Sequence, residues 1–242
     1  MNLALFAAAS GMAAQQTNLD VIANNLANAD VPGFKGAVAS FAEIASARRV
    51  GLGTAALGTH TLLEQGKLMK SGGPFDVAID GPGFFEVRNS RGTVAFTRDG
   101  SFARDARGNL ENGGSWRLSG IRIPSDALRL DVSSDGKVTA TTSHGKHDCG
   151  RIRLALFAAP EFLEPLGGTA FAATARSGRA QLISAGGAHG PQVRFGMLEQ
   201  SNVSIIEAMM QILAAQRAYE ANAKGVQAAD EMLRIANNLT RG

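Results

Sequence analysis

The sequence predicts an α+β fold in which an N-terminal and a C-terminal helix pair as a coiled coil, and the residues between them form a mostly antiparallel β domain. Three observations support this prediction. Apolar residues recur every seven positions near both ends of the chain, short apolar runs alternate with turn signals in the middle, and no proline falls within either repeat. The 242 residues, of which 45% are hydrophobic, suffice for a sizeable core and for one or two domains.

The N-terminal helix is predicted from about Leu3 to Ala29, within a first segment that spans residues 1–36. Ile22 lies between two repeat positions and completes a narrow apolar stripe on one helical face. The helix is expected to end shortly before Pro32, because proline pushes the residue before it toward extended geometry. The apolar residues of the repeat are Leu5, Met12, Leu19 and Leu26.

The polar face of this helix carries amides where charges are usual. Asp20 is the only charged residue between Leu3 and Ala29, although a helix that faces water normally carries Lys and Glu. Amides can enter a protein interface when their hydrogen bonds are satisfied. We therefore predict that this face contacts other protein; the alternative is a frayed helix end, where asparagine is tolerated. The asparagines of this face are Asn18, Asn24, Asn25 and Asn28.

A second helix is predicted to begin after Ser204, within a segment that spans residues 198–242. Ser204 and Glu207 form a capping-box pattern, which satisfies backbone N–H groups at the start of a helix. A helix from there to the chain end is roughly 50 Å long at about 1.5 Å per residue, too long to lie entirely across a domain of this size. We therefore expect it to project. Its repeat positions are Ile205, Ile212, Tyr219, Val226 and Leu233.

The repeat of seven favours a left-handed supercoil of the two helices. Two ordinary amphipathic helices that pack on a globular core are the alternative, because alanine-rich sequence readily produces apparent heptads. The apolar stripe widens at the start of the second helix, where Val203, Ile206, Met210 and Leu213 join Ile205, Met209 and Ile212. A stripe wider than a two-helix seam predicts contacts with other subunits, and head-to-tail contacts that do not close produce a helical filament.

The middle of the chain reads as short β-strands. Runs such as PFDVAI, GPGFFEVR and TVAFTRDG lie between turn signals, and they place the β domain at residues 75–197. Asp99-Gly100 and Asp135-Gly136 are typical of hairpin turns, because glycine accepts the positive φ that such turns require. Residues 37–74 contain many glycines and are predicted to be an irregular connector.

Few residues in the sequence point to chemistry. His144, His147 and Cys149 lie within six positions and are suitable ligands for zinc or nickel, so a metal-binding β domain is one alternative. The sequence has no P-loop, dinucleotide fingerprint or nucleophile elbow, and we predict neither an enzyme nor a cofactor. The net charge of +3 is scattered along the chain, which does not indicate nucleic-acid binding.

The apolar N-terminus resembles the core of a secretory signal but lacks its basic flank, because the first Lys or Arg is Lys35. No apolar run reaches the roughly 18 residues that a membrane span needs. We therefore expect no cleaved signal peptide and no membrane insertion.

Three long stretches resemble those of one known family, and they cover most of the chain. They are SGMAAQQTNLDVIANNLANAD with PGFKG, GPFDVAIDGPGFFEV with AFTRDGSF, and LEQSNVSIIEAMMQILAAQRAYEANAKGVQAADEML. The chain resembles the bacterial flagellar rod and hook axial family. The resemblance implies a non-enzymatic basal-body rod subunit, exported unprocessed through the flagellar type III apparatus and assembled into a tubular drive shaft across the periplasm. It also implies that the terminal helices form the inner core of the tube, that the β domain faces outward, and that the partners are copies of the chain and other rod and hook axial proteins.

Carried over by motif position, the resemblance implies that two groups of residues contact neighbouring subunits. The N-terminal group is Asn24, Asn25, Asn28, Gly33 and Phe34. The C-terminal group is Ser201, Asn202, Gln216, Arg217, Tyr219 and Glu220. The short connector between Phe41 and Gln65 favours a proximal rod protein, because distal rod proteins generally carry a longer segment there. The stretch QRAYEANAKGV is equally similar to distal rod proteins, and a hook-type axial protein is a further alternative.

Overall fold

The computed structural model describes residues 3–44, 52–186 and 190–239, and the chain divides into two compact units. The helical unit comprises Met1–Asn28, Gly36–Leu62 and Val203–Gly242. The β unit comprises Ala29–Lys35 and Leu63–Asn202. The predicted α+β composition is confirmed, because one helix lies near each end of the chain and the residues between them are rich in antiparallel strands.

The helical unit contains two helices and a two-stranded ribbon. Their bounds are α1 Leu3–Ala27, β1 Ala37–Glu43, β2 Thr54–Thr61 and α2 Ile205–Leu239. Helix α2 begins as the capping pattern predicts, because the hydroxyl of Ser204 accepts a hydrogen bond from the backbone N–H of Glu207 at 3.3 Å. At the end of α1, the side-chain amide of Asn28 donates to the carbonyl of Asn24 at 2.8 Å.

Helices α1 and α2 pack against each other in antiparallel orientation. A Cβ atom on Gly11 would lie 2.9 Å from the side chain of Asn222, and one on Gly225 would lie 3.8 Å from Ala8. Later residues of α1 therefore meet earlier residues of α2. The distance between two helix axes depends on the side chains at the contact, so glycines at these points allow a close approach.

The buried positions of α2 repeat every seven residues or a multiple of seven, and they are alanines. They are Ala208, Ala215 and Ala229. The larger residues of the predicted repeat lie beside the contact. Ile205 is 41% exposed, Tyr219 40% and Leu233 39%, whereas Ile212 and Val226 are half-buried. The two-helix contact therefore covers only one edge of the predicted apolar stripe.

The segment predicted as an irregular connector, residues 37–74, differs from that prediction. Strands β1 and β2 pair antiparallel from Ala37 opposite Thr61 to Glu43 opposite Thr54, with a register shift between Ser40 and Phe41. The ribbon packs on α1 within the helical unit. Its residues are mostly small or polar, and its larger apolar residues Val38, Phe41 and Leu57 are exposed. The sequence therefore lacks the regular apolar alternation that marks a strand, and packing against the helix supplies the missing stabilisation.

The β unit is built from sixteen strands and one short 3-10 helix among its described residues. The strands are β3 Leu68–Lys70, β4 Val77–Asp80, β5 Phe84–Arg88, β6 Val94–Thr97, β7 Ala103–Arg104, β8 Leu110–Glu111, β9 Arg117–Leu118, β10 Ala127–Val132, β11 Lys137–Thr142, β12 Gly145–Arg151, β13 Arg153–Leu156, β14 Glu164–Gly167, β15 Ala170–Ala172, β16 Gln181–Ser184, β17 Gln192–Phe195 and β18 Met197–Glu199. The 3-10 helix is Pro160–Phe162.

The largest sheet has nine strands, and all its pairings are antiparallel. Its main path runs β14-β15-β6-β5-β9-β8-β7, and β13 joins β5 to β16. Strands β10, β11 and β12 form a separate three-stranded sheet, β17 pairs with β4, and β18 pairs with β3. Pairing of β18 with β3 and of β17 with β4 connects the last strands of the unit to its first ones.

The core of the β unit follows from the alternation of side chains along β5. Phe85 and Val87 belong to the main hydrophobic cluster, whereas Phe84 belongs to a second, smaller cluster. Because successive residues of a strand point to opposite faces, the two phenylalanines anchor the two faces of the sheet. Phe84 meets Phe171 edge to face with ring centres 6.1 Å apart, and Phe85 meets Phe102 in the same way at 5.7 Å.

Of the two predicted hairpin turns, one is correct and one is wrong. Asp135-Gly136 joins β10 to its partner β11, and Gly136 has a φ of 80°. Asp99-Gly100 lies between β6 and β7, which do not pair with each other. Gly100 is required for a different reason, since a Cβ atom there would overlap the backbone carbonyl of Val77. Close approach of two backbones explains the glycine at that point.

Candidate subunit interface

Four large apolar side chains near the start of α2 are exposed to solvent. Ile206 is 74% exposed, Met209 53%, Met210 57% and Leu213 59%. They are spaced by three or four residues and so share one helical face, which we call the apolar patch. Exposed apolar patches on folded proteins commonly mark sites of protein contact.

A groove of about 510 Å³ lies on another side of the same unit, between α1, α2 and β1. Its walls carry apolar, amide and small side chains, and none of the residues that line it is charged. The groove is lined by residues that include Gln15, Asn18, Ile22, Val38, Ala214 and Ala218. Neutral walls of this kind accept an apolar partner without leaving an ion unpaired.

The amides of α1 divide between two roles. Asn24 is exposed, Asn18 lines the groove, and the only charged residue of α1, Asp20, accepts a hydrogen bond from the side chain of Gln16 at 3.0 Å. Asn25 is buried within the chain, and its predicted role in subunit contact stays a prediction. Its amide therefore belongs to the fold of the helical unit.

Asn25 extends the ribbon by imitating a backbone partner. Its Nδ2 donates to the carbonyl of Ala37 at 2.7 Å, and its Oδ1 accepts from the N–H of Ala37 at 2.9 Å.

Asn25→Ala leaves both backbone groups of Ala37 without this partner, so we expect it to lower the free energy of unfolding by about 1–3 kcal/mol. Hydrogen exchange of the Ala37 amide should accelerate by about tenfold or more, since about 1.4 kcal/mol corresponds to a factor of ten. Asn24→Ala, at the exposed neighbouring position, is the control and should leave exchange at Ala37 unchanged; equal effects would contradict this role.

The other predicted interface residues of the helices differ in burial. Those of α1 that are half-buried are Leu5, Met12, Leu19, Leu26 and Asn28, and Ile22 is buried. On α2, the exposed members besides Ile205 and Met209 are Gln216, Arg217, Tyr219, Glu220 and Leu233. The exposed members of both helices are free to contact another chain, and their role in subunit contact stays a prediction.

A second feature, in the β unit, is an ion cluster that we call the buried ion triad. Glu199 accepts a hydrogen bond from Lys35 Nζ at 2.5 Å and from Arg98 Nη1 at 3.1 Å, and both the Lys35 and Glu199 side chains are fully buried. The carboxylate also accepts the N–H of Gly66 at 3.0 Å. Its own backbone carbonyl accepts the N–H of Gly33 at 2.8 Å.

Further hydrogen bonds complete the surroundings of the triad. Lys35 Nζ donates to the carbonyl of Glu64 at 2.7 Å, and that carbonyl also accepts from the side-chain amide of Asn202 at 3.2 Å. Arg98 Nη2 donates to the carbonyl of Gly81 at 2.9 Å, and the guanidinium lies 5.4 Å from the ring centre of Phe84. These bonds hold the segment after α1 and the segment before α2 to the same part of the β unit.

The triad places two cations against one carboxylate away from water. Burial lowers the pKa of Lys35, and the hydrogen bond and charge of Glu199 oppose that shift. Burial likewise lowers the pKa of Arg98 against the attraction of the same carboxylate. Glu199 is therefore the group whose charge and hydrogen bonds oppose the effect of burial on both cations.

Sequence analysis did not single out Glu199 or Arg98. Phe34, predicted as a subunit contact, is buried in the β unit beside Lys35 in sequence. One signal was present, because Lys35 is the first cation of the chain and stands inside the PGFKG motif. A lysine in a stretch of small and apolar residues needs a buried acceptor, and the sequence does not say which acidic residue supplies it.

The alternative metal site does not come together in the structure. The Cys149 side chain belongs to the main hydrophobic cluster, whereas His144 and His147 are exposed. Among residues 3–44, 52–186 and 190–239, no three His, Cys, Asp or Glu side chains are grouped so that they could hold a metal ion. In the same parts of the chain, neither helix has the length and apolar composition that crossing a membrane requires.

Three families match successive parts of the chain. Residues 5–35 match the family described as flagella basal body rod protein, residues 78–140 the flagellar hook protein FlgE/F/G D1 domain, and residues 195–239 the flagellar basal body rod FlgEFG protein C-terminal region. The first and last matches contain most of α1 and α2, and the middle one lies in the β unit. The chain belongs to the flagellar basal-body rod protein family.

Relatives of this rod protein match it over its whole length. It is 38% identical to the flagellar basal-body rod protein FlgG of Borreliella burgdorferi, with 100% of each chain covered. It is 34% identical to FlgG of Agrobacterium fabrum over 97% of this chain and 98% of the relative, and 32% identical to FlgG of Bacillus subtilis over 98% of each. The flagellar hook protein FlgE of Escherichia coli is 41% identical over 49% of this chain and 29% of its own length.

These relationships decide the class of the protein. This rod protein is a structural component of the flagellar basal body and not an enzyme. Its similarity to a hook protein places it among axial proteins that assemble with one another. The names of the relatives do not state a position along the rod, so the proximal position that the short connector favours stays a prediction.

Proposed function

We propose that this rod protein polymerises through its terminal helices, which pair as a coiled coil and form the inner core of the rod with the helices of neighbouring copies. The apolar patch on α2 is the observation that carries this proposal. Its four side chains are each more than half exposed in the single chain, and burying one fully contributes about 1.5–3 kcal/mol. The β unit faces outward in the proposed assembly.

The neutral surface of α1 supports the same arrangement. Its exposed residues are mainly alanines and amides, and Asp20 is its one charged side chain. A helix surrounded by other helices can satisfy amides through hydrogen bonds, whereas unpaired charges there would cost several kcal/mol each. The proposed neighbours are copies of the chain and other rod and hook axial proteins.

The proposal extends to the route and the place of assembly. We infer that the chain passes through the flagellar type III export apparatus without cleavage of a signal peptide and joins a rod that crosses the periplasm. The rod would transmit torque from the motor to the hook. Support comes from the family relationship. Because the full-length relatives are FlgG proteins, we propose that the chain takes the same position along the rod as they do.

A paired substitution tests assembly through the helices. Ile206→Asp with Met210→Asp places two charges on the apolar patch, so we expect cells that carry this variant to lose motility and to lack completed rods. The measurement is swimming in soft agar, followed by electron microscopy of isolated basal bodies.

The matched control is Leu128→Asp in the β unit, because Leu128 is 78% exposed and lies outside the helices. We expect the control to keep motility and rods. Normal rods built from the double variant, or loss of rods in the control alone, would contradict assembly through the terminal helices.

A further inference from the structure

The apolar patch and the groove lie on different faces of α2 and are offset along its axis. The groove is lined on this helix by Gln211, Ala214, Ala215 and Ala218. At 3.6 residues per turn, the mean direction of the four patch side chains differs from that of the four groove-lining side chains of α2 by roughly 140° around the helix axis. Their midpoints differ by five residues, or roughly 7–8 Å along the axis. One chain therefore presents a protruding surface and a concave surface that cannot meet each other.

We propose that the apolar patch of one copy enters the groove of the next copy. This inference rests on the proposed function and names the two surfaces that join neighbouring subunits. The patch carries large flexible side chains, since Met209 and Met210 adapt readily to irregular spaces. The groove offers about 510 Å³ between α1, α2 and β1.

The two surfaces are matched in charge, because both are neutral. The patch residues are apolar, and the groove is lined without a Lys, Arg, Asp or Glu side chain. An apolar side chain that enters the groove therefore leaves no ion without solvent or partner. Gln15, Asn18 and Gln211 keep amides at the groove surface, where they can bond to backbone groups of an entering helix end or to water.

The arrangement determines the symmetry of assembly. A contact between two different surfaces is heterologous, so each copy uses its patch toward one neighbour and its groove toward the other. With α2 aligned along the axis of the assembly, the offset of roughly 7–8 Å between the surfaces makes successive copies climb, which gives a helical array in preference to a flat ring. A contact between two patches would instead close after two copies.

Disulfide trapping in intact basal bodies tests this pairing. Two differently tagged full-length copies are expressed beside the natural chain, one with Met210→Cys and the other with Ala218→Cys. Oxidation of isolated basal bodies should then produce a dimer that carries both tags. The natural Cys149 is buried, and tagged copies without new cysteines correct for any reaction at that residue.

Two controls make the test specific. Met210→Cys with Arg217→Cys places the second thiol one residue away, on the exposed patch side of α2, and the dimer should be lost. Met210→Cys in both copies should also give no dimer. The pairing would be overturned if tagged rods form without the dimer of positions 210 and 218, or if position 210 forms a dimer with itself. Neither outcome would contradict the proposed function. The proposed function would instead be contradicted if the tagged copy that carries no new cysteine is not found in the rod.

Discussion

Glu199→Gln should lower the free energy of unfolding of the β unit by about 3–5 kcal/mol, because it leaves two cations in the interior without their carboxylate. Lys35 and Arg98 both depend on that group, and the Lys35 and Glu199 side chains have no exposed surface. Glutamine keeps the shape and one acceptor oxygen, so packing is nearly conserved and the change reports the charge. Urea unfolding measured through the fluorescence of Trp116, the single tryptophan, follows the β unit directly.

Asp80→Asn is the matched control for this experiment. Asp80 accepts two hydrogen bonds from Arg194, at 2.8 and 3.0 Å, but both side chains are more than 40% exposed. Surface pairs of this kind contribute about 0–1 kcal/mol. If the two substitutions cost the same, the buried ion triad does not stabilise the β unit in the way its geometry indicates.

Gly33→Ala should destabilise the β unit by about 2–5 kcal/mol, from two additive causes. Gly33 has a φ of 68°, and an L-residue in that left-handed conformation costs about 1–2 kcal/mol. A Cβ atom there would also overlap the backbone nitrogen of Asp99, and forced overpacking costs about 1–3 kcal/mol. The same unfolding measurement through Trp116 gives the total.

Gly92→Ala separates the two causes. Gly92 has a φ of 85°, but no atom lies within 4 Å of a Cβ placed on it. Its substitution should therefore cost only the conformational part, about 1–2 kcal/mol. A Gly33→Ala variant no less stable than Gly92→Ala would show that the Asp99 backbone yields without cost.

Local patterns in the sequence predicted much of the β unit and the bounds of both helices. The strands around Phe84 and Phe96 follow from short apolar runs between glycine and proline, and the start of α2 follows from Ser204. These features depend on neighbours in the sequence, which a local pattern describes. The wide apolar stripe at the start of α2 also led directly to the apolar patch.

Features that depend on distant partners could not be predicted in the same way. The β1 and β2 ribbon gains its stability from α1, through contacts such as that between Asn25 and Ala37. The buried ion triad joins Lys35 to an acid far along the chain, and no local pattern identifies that acid. At Gly100 the sequence predicted a turn, whereas the structure requires room for the carbonyl of Val77.

The triad has a consequence for the kinetics of folding. Lys35 and Glu199 are separated by 164 residues, so their contact closes a loop of most of the chain. Loop closure of this length is entropically costly and is compensated only after distant strands have met, which slows folding in proteins of high contact order. During synthesis, Lys35 cannot form its ion pair with Glu199 until nearly five-sixths of the polypeptide has been made. Nascent chains that stop before Glu199 should therefore remain as susceptible to protease as unfolded protein.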